Sequence, residues 1–259
     1  MPVILAFKLA TAPVLILCLT LLSRKYGPAV GGMLMGVPLI TGPISVFTAL
    51  EHGASFAQHA AVANFVGQVS TCIFCFTYAL LAKRLNVAMT VLCSAGAFFT
   101  ATLIWNEFEW TVASGLGLLL AAILLFMAIL KPVNIDAAAK VTIRFDLTLR
   151  MLVSAAFVLL ITFLTGHVGA KLSGLLAPFP VFVLILSVFT HHQMGAGAAS
   201  NLVRGVITGS FSFAAFFAVV AVWLDNLGIA VTYSAAALAS AMVSGVVYLI
   251  LHHSTASAA

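Results

Sequence analysis

Long apolar runs alternate with short polar or charged segments along the whole chain. Each run has about 20 residues, the length that a helix needs to cross a hydrocarbon layer roughly 30 Å thick. Turn residues and charges place nine runs at 3–22, 29–50, 56–82, 87–105, 110–131, 147–165, 171–191, 198–224 and 228–251. This pattern predicts an all-α polytopic membrane protein with about nine transmembrane helices.

Composition and charge agree with that prediction. Hydrophobic residues make up 63% of the 259 positions and charged residues only 7%, a balance that excludes an ordinary soluble domain. The net charge of +5 is scattered between apolar runs, so we expect no nucleic-acid partner. Nine spans put one group of loop cations on a single face: Arg24, Lys25, Lys83, Arg84, Lys131, Lys140 and Arg144.

The other face holds the acidic loop residues Glu51, Glu107, Glu109 and Asp225, with Lys171 as its one loop cation. The positive-inside rule assigns the basic face to the cytoplasm. We therefore predict a multi-pass protein of the bacterial inner membrane, with its N-terminus outside and its C-terminus cytoplasmic.

The chain also resembles itself at a fixed offset. SVFT occurs at Ser45–Thr48 and again at Ser187–Thr190, which is 142 positions later. The same offset matches several glycines and prolines: Gly32 with Gly174, Pro38 with Pro180, Gly53 with Gly195 and Gly67 with Gly209. It superposes the first four predicted spans on the last four, with one span between them. The predicted organisation is a first repeat at 1–105, a linking helix and loop at 106–140, and a second, inverted repeat at 141–259.

Inverted repeats of this 4+1+4 kind are typical of secondary transporters, whose substrate binds near the midplane where discontinuous helices meet. The alternative is duplication of an ancestral dual-topology protein that has no role in transport. Pro38 and Pro180 occupy equivalent positions in predicted helices 2 and 7, and each should break its helix. Such a break indicates either a binding site or a kink that neighbouring helices tolerate.

Polar residues at helical spacing complete the predicted substrate site. Besides Pro38 and Pro180 it comprises Thr41, Ser45, Asn64, Gln68, Ser187, Asn201 and Arg204. Serine and threonine also permit close helix packing, whereas the amides and the arginine are harder to explain in that way. Arg204 lies roughly 9 Å into its span, where it either binds an anion or extends to the membrane surface.

Three further charged residues are candidates for coupling or gating. Lys8 and Arg150 match under the 142-residue offset, and each lies about one turn inside its face. They act either as interfacial anchors or as gate residues. Glu51 lies at the outer end of span 2, beside His52, and either titrates during transport or belongs to a solvated turn.

The segment SGLLAPFPVFVLI at 173–185, together with the LTLRMLVSAAFVLLITFLTGHVGAK that precedes it, resembles the GlpM family of small four-span bacterial membrane proteins. The resemblance covers most of the second half. In the first half, GGMLMGVPLITGPI keeps Gly32, Leu34 and Pro38 of the pattern. It implies a fused, duplicated relative of that family and says little about substrate.

The sequence contains no P-loop, nucleophile elbow, HExxH or Rossmann fingerprint, so we expect no enzyme activity, cofactor or metal site. The predicted function is a secondary transporter or permease for a small polar or anionic solute. Two alternatives stay open: a lipid or polyprenyl-carrier translocase, and a non-transporting membrane subunit of envelope polysaccharide assembly. The expected partners are a small-molecule or lipid substrate, membrane lipids and, as an option, a second copy of the chain.

Overall fold

The computed structural model describes the backbone of residues 2–133, 146–167 and 179–256, and the side chains of 13–133, 146–157, 159–160 and 179–250. Every regular element in these ranges is a helix. In chain order the helices are α1 (Pro2–Tyr26), α2 (Pro28–Gly36), α3 (Thr41–His52), α4 (Ala54–Leu81), α5 (Val87–Trp105), α6 (Val112–Ile129), α7 (Asp146–His167) and α8 (Val181–Ala256).

Helix α8 contains two non-helical residues, Gly195 (φ 82°, ψ 175°) and Gly228 (φ 74°, ψ 170°). Glycine adopts a positive φ without the steric clash that a Cβ would cause. The hydroxyls of Ser212 and Ser244 are 2.7 Å apart, so the chain lies alongside itself on either side of Gly228. We call the three segments α8a (181–194), α8b (196–227) and α8c (229–256).

A second reversal occurs at Gly195. His191, just before it, contacts the Tyr78 hydroxyl at 3.2 Å, and Ser200, just after it, donates to the Ala79 carbonyl at 3.4 Å. In a straight helix those two positions would be about 13 Å apart, yet they contact adjacent residues of α4. Segments α8a and α8b therefore both reach the C-terminal end of α4.

The predicted break in the second span is confirmed. Helix α2 ends at Gly36 and α3 begins at Thr41, with Pro38 in the intervening segment. Pro180 directly precedes α8, as a helix-initiating proline would, while residues 171–178 of the predicted seventh span lie outside the described residues. The start of α5 at Val87 also matches the predicted start of the fourth span. The Asn86 side chain caps this helix by accepting from the Met89 amide at 2.9 Å.

Five helical stretches of the described residues are long and apolar enough to cross a membrane: Pro28–His52, Ala54–Leu81, Val87–Trp105, Val112–Ile129 and Val181–Ile250. The last of these has 70 residues, which as helix would measure about 105 Å, or roughly three bilayer crossings. These stretches support a membrane-embedded protein.

Charge is segregated between the two ends of the helices. The ends of α4 and α6 meet the beginning of α8b, and the end of α1 meets the beginning of α7. The cations Arg24, Lys83, Arg84, Lys131, Arg150 and Arg204 therefore share one end of the molecule, which we call the basic end. The turns that carry Glu107, Glu109 and Asp225 lie at the opposite ends of their helices, as the loop charges predicted.

Helix α2 packs against α8b through four glycines. A Cβ at Gly32 would lie 1.8 Å from the Leu202 carbonyl oxygen, and one at Gly205 would lie 2.1 Å from the Ala29 carbonyl oxygen. Gly36 and Gly209 repeat the contact one turn further along each helix. The two helices thus present a GxxxG motif to each other, which lets their backbones touch.

Candidate functional site

The backbone has the same hydrogen bonds around Pro38 and around Pro180. In each case the amide of the next residue donates to the carbonyl of the preceding residue, at 2.7 Å and 2.8 Å respectively. Each proline carbonyl then accepts from the amide four positions later, at 2.9 Å. Gly53 (φ 90°, ψ 165°) and Gly195 (φ 82°, ψ 175°), which the 142-residue offset also matches, share one conformation. The backbone around the two prolines therefore has a common local geometry.

Aromatic rings contact the chain beside both prolines. Phe179, next to Pro180, stacks on Phe99 with ring centroids 5.3 Å apart, and its ring edge meets Phe74 of α4 at 6.2 Å. At the other break, Gly42 lies against the Phe216 ring of α8b. Phe74 and Phe216 are themselves matched by the offset, so each break contacts the equivalent ring of a different long helix.

Ser45 and its equivalent Ser187 have different surroundings. The Tyr233 hydroxyl of α8c donates to the Ser45 carbonyl at 2.8 Å and lies 2.7 Å from the Ser45 hydroxyl. Ser187 is 0% exposed, and its hydroxyl has no hydrogen-bond partner among the described residues. Such a group loses its water without compensation, at a cost of about 1–3 kcal/mol. The structure therefore holds one satisfied and one unsatisfied serine at equivalent positions.

Gln68 connects α4 to α8b. Its side-chain amide donates to the Ser210 hydroxyl at 2.8 Å, and these two residues are 142 positions apart, so each contacts its own equivalent. Thr41 and Asn64 are half-buried and make no hydrogen bond through their side chains to other described residues. Of the predicted substrate residues, Gln68 thus lies where the two long helices meet.

Asn201 and Arg204 lie elsewhere, at the basic end. The Asn201 amide group accepts from the Val133 N–H at 2.9 Å and donates to the Val133 carbonyl at 2.7 Å. Arg204 donates from Nε to the Leu130 carbonyl, also at 2.9 Å. Both side chains hold the segment after α6 against α8b, about 9 to 14 Å along the helix from Ser210.

A cleft of about 230 Å³ opens beside Arg204, and we call it the basic cleft. Four of its lining residues are cations, and the rest are apolar or small: Ala79, Leu80, Lys83, Arg84, Leu130, Lys131, Val133, Ser200 and Arg204. No carboxylate is among these lining residues. The arrangement is suited to an anion.

Arg150 belongs to a buried hydrogen-bond network that the sequence did not predict. Its Nε donates to both oxygens of Asp146, at 3.1 and 3.0 Å, and one terminal nitrogen donates to Gln193 at 2.9 Å. The Gln193 amide and Arg24 also donate to the Asp146 carboxylate. Asp146 and Arg150 are each only 4% exposed. This network joins α1, α7 and α8a at the basic end.

The i,i+4 spacing of Asp146 and Arg150 was the available sequence signal for this network. The structure shows no comparable contact for the other two gate candidates among the described side chains. Glu51 is exposed at the end of α3, and the side chain of Lys8 lies outside the described residues.

Comparisons with protein-family models, with curated proteins and with solved structures return no match for this chain.

Proposed function

We propose that the chain is a secondary transporter for a small polar or anionic solute, built from two inverted four-helix repeats around one linking helix. The observation that carries the proposal is the shared backbone geometry at Pro38 and Pro180, since helix breaks in equivalent positions of two repeats are the pattern of transporter binding sites.

The reversals at Gly195 and Gly228 support the nine-pass arrangement. If α2 and α3 are counted as one interrupted span, the helical segments of the described residues number nine, in agreement with the nine spans proposed here. The contact between Gln68 and Ser210 supports the symmetry, because residues related by a two-fold axis touch one another only near that axis. In this proposal the basic end faces the cytoplasm.

The proposed substrate path runs between the two breaks, past Ser45, Gln68 and Ser187. The unsatisfied Ser187 hydroxyl is important here, because a buried polar group without a partner gains a hydrogen bond if a solute or water reaches it in another conformation. Asn201 and Arg204 lie on the basic-end side of this path, where Arg204 would attract an anionic solute towards the entrance.

Cysteine accessibility at Ser187 tests alternating access without a known substrate. In a background without Cys18 and Cys93, we expect Ser187→Cys to react slowly but measurably with a small thiol reagent in the folded protein, because the position becomes exposed in another state of the cycle. A solute that stabilises one state should change this rate. The matched control is Ser70→Cys, which is equally buried and likewise unpartnered but lies outside the proposed path. If Ser187→Cys and Ser70→Cys were equally protected from the thiol reagent in the presence of every solute, the proposal would be contradicted.

Flux gives the complementary test. Solutes that raise Tm in a screen of amino acids, organic acids and inorganic phosphate are offered to proteoliposomes that contain the protein. Uptake that depends on the protein and is abolished when a bulky side chain is introduced by Ser187→Trp would support transport. Binding without any flux would favour a scaffold or sensor instead.

A further inference from the structure

The basic cleft lies outside the proposed substrate path, at the basic end from which Arg204 would attract an anionic solute. We propose that it binds one phosphate group, carried either by an anionic lipid headgroup or by a free anion. The inference concerns binding alone, so it stands whether or not the chain transports a solute.

Arg204 is fixed in an orientation that leaves its donors available. Its Nε is held by the Leu130 carbonyl at 2.9 Å, and its terminal nitrogens make no hydrogen bond or ion pair with the residues that the structure describes. Guanidinium groups recognise phosphate through two parallel N–H bonds, and a side chain held in place loses less rotamer freedom on binding. Arg204 is thus a preorganised donor at the wall of the cleft.

The charge around Arg204 is not neutralised within the described chain. Lys83, Arg84 and Lys131 line the same cleft, and both ion pairs of the described residues involve Asp146 instead. Lys83, Arg84 and Lys131 are exposed, so repulsion between them is weak in water, yet their combined potential favours an anion. The Ser200 hydroxyl adds a neutral polar group to the wall.

The size and position of the cleft narrow the ligand class. At about 230 Å³ it is smaller than the usual pocket for a drug-sized molecule or cofactor, but it accommodates a phosphate-bearing headgroup. It opens between helices at the basic end, where basic pockets of membrane proteins bind anionic headgroups. Leu80, which is 45% exposed, borders the cations and offers an apolar surface to an acyl chain.

Thermal unfolding of the purified full chain in a neutral detergent tests the proposal. The probes are inorganic phosphate, short-chain phosphatidylglycerol and short-chain phosphatidylcholine, each at the same ionic strength. We expect phosphatidylglycerol, inorganic phosphate or both to raise Tm, and the rise to shrink as salt increases. A rise in Tm with inorganic phosphate shows that a free anion is sufficient as the ligand. A rise in Tm with phosphatidylglycerol alone shows that the ligand is a lipid headgroup.

Three variants assign the effect to the cleft. Arg204→Gln should weaken the apparent affinity about tenfold or more, because it removes a charged hydrogen-bond donor. Lys131→Gln, at an exposed position that cannot affect the core, should weaken it by a smaller factor. Lys25→Gln is the matched control: it removes one exposed cation from the same end but outside the cleft. No rise in Tm with either anionic probe would overturn the proposal, and so would equal losses in Lys25→Gln and Lys131→Gln.

Discussion

The glycine contact between α2 and α8b gives the sharpest prediction about stability. A Cβ introduced by Gly32→Ala would lie 1.8 Å from the Leu202 carbonyl oxygen, whereas carbon and oxygen atoms normally approach to about 3.3 Å. Because the obstacle is backbone rather than a flexible side chain, the helices must separate by up to roughly 1.5 Å. A gap of even 0.5–1 Å forfeits about a quarter to a half of the dispersion energy of the facing atoms.

We therefore expect Gly32→Ala to destabilise the protein by about 3 kcal/mol, at the upper end of the range for overpacked sites. Gly205→Ala should cost a similar amount, because its Cβ would lie 2.1 Å from the Ala29 carbonyl oxygen. The double variant should cost clearly less than the sum, since helices already separated by one methyl group have room for the second.

Equilibrium unfolding of the purified protein in mixed micelles, monitored by tryptophan fluorescence, measures these differences. Gly117→Ala is the control, because that glycine lies within α6 with no atom within 4 Å of its Cβ position. It should be neutral or stabilising by about 0.5–1 kcal/mol. If Gly32→Ala unfolds like Gly117→Ala, or if the double variant is additive, the described packing of α2 on α8b is wrong.

Three further predictions concern the polar contacts. Asp146→Ala leaves Arg150 buried without its counterion and should destabilise the protein by about 3–5 kcal/mol. Arg24→Gln removes a side chain that is 47% exposed and should cost under about 1 kcal/mol. The same unfolding curves measure both free-energy differences, and equal losses would contradict the described network. Tyr233→Phe removes the hydroxyl that binds Ser45 and should lower stability by about 1–3 kcal/mol, so an unchanged midpoint would refute that bond. Asn201→Ala should speed hydrogen exchange of the Val133 amide, which loses its acceptor; unchanged exchange would contradict the contact.

Local chemistry made much of the fold predictable. Pro38 marked the break between α2 and α3, and loop cations marked the basic end. Both features are predictable because their causes are local. A proline interrupts the helix in which it lies, and loop cations collect on one side of a membrane. The 142-residue offset matched Gly53 with Gly195, and these two glycines have similar dihedral angles.

Long-range contacts were not predictable from one sequence. Nothing local indicates that Asp146 meets Gln193, or that Asn201 would bind the backbone of Val133. Helical spacing of polar residues indicates which face of a helix they share but not how far along the helix they lie, so Asn201 and Arg204 were predicted to join Gln68 in one site. The resemblance to the GlpM family and the substrate class stay predictions, since no contact in the fold depends on them.

The central claim, that the two halves are inverted relative to each other, is tested most directly by the accessibility of two matched turns. His52→Cys, beside Gly53, and His192→Cys, near Gly195, place single exposed thiols at the two turns, in a background without Cys18 and Cys93. A membrane-impermeant maleimide is applied to sealed vesicles of each orientation. The account predicts that position 52 reacts only from the outside and position 192 only from the cytoplasmic side. Reaction of both positions from the same side would contradict it.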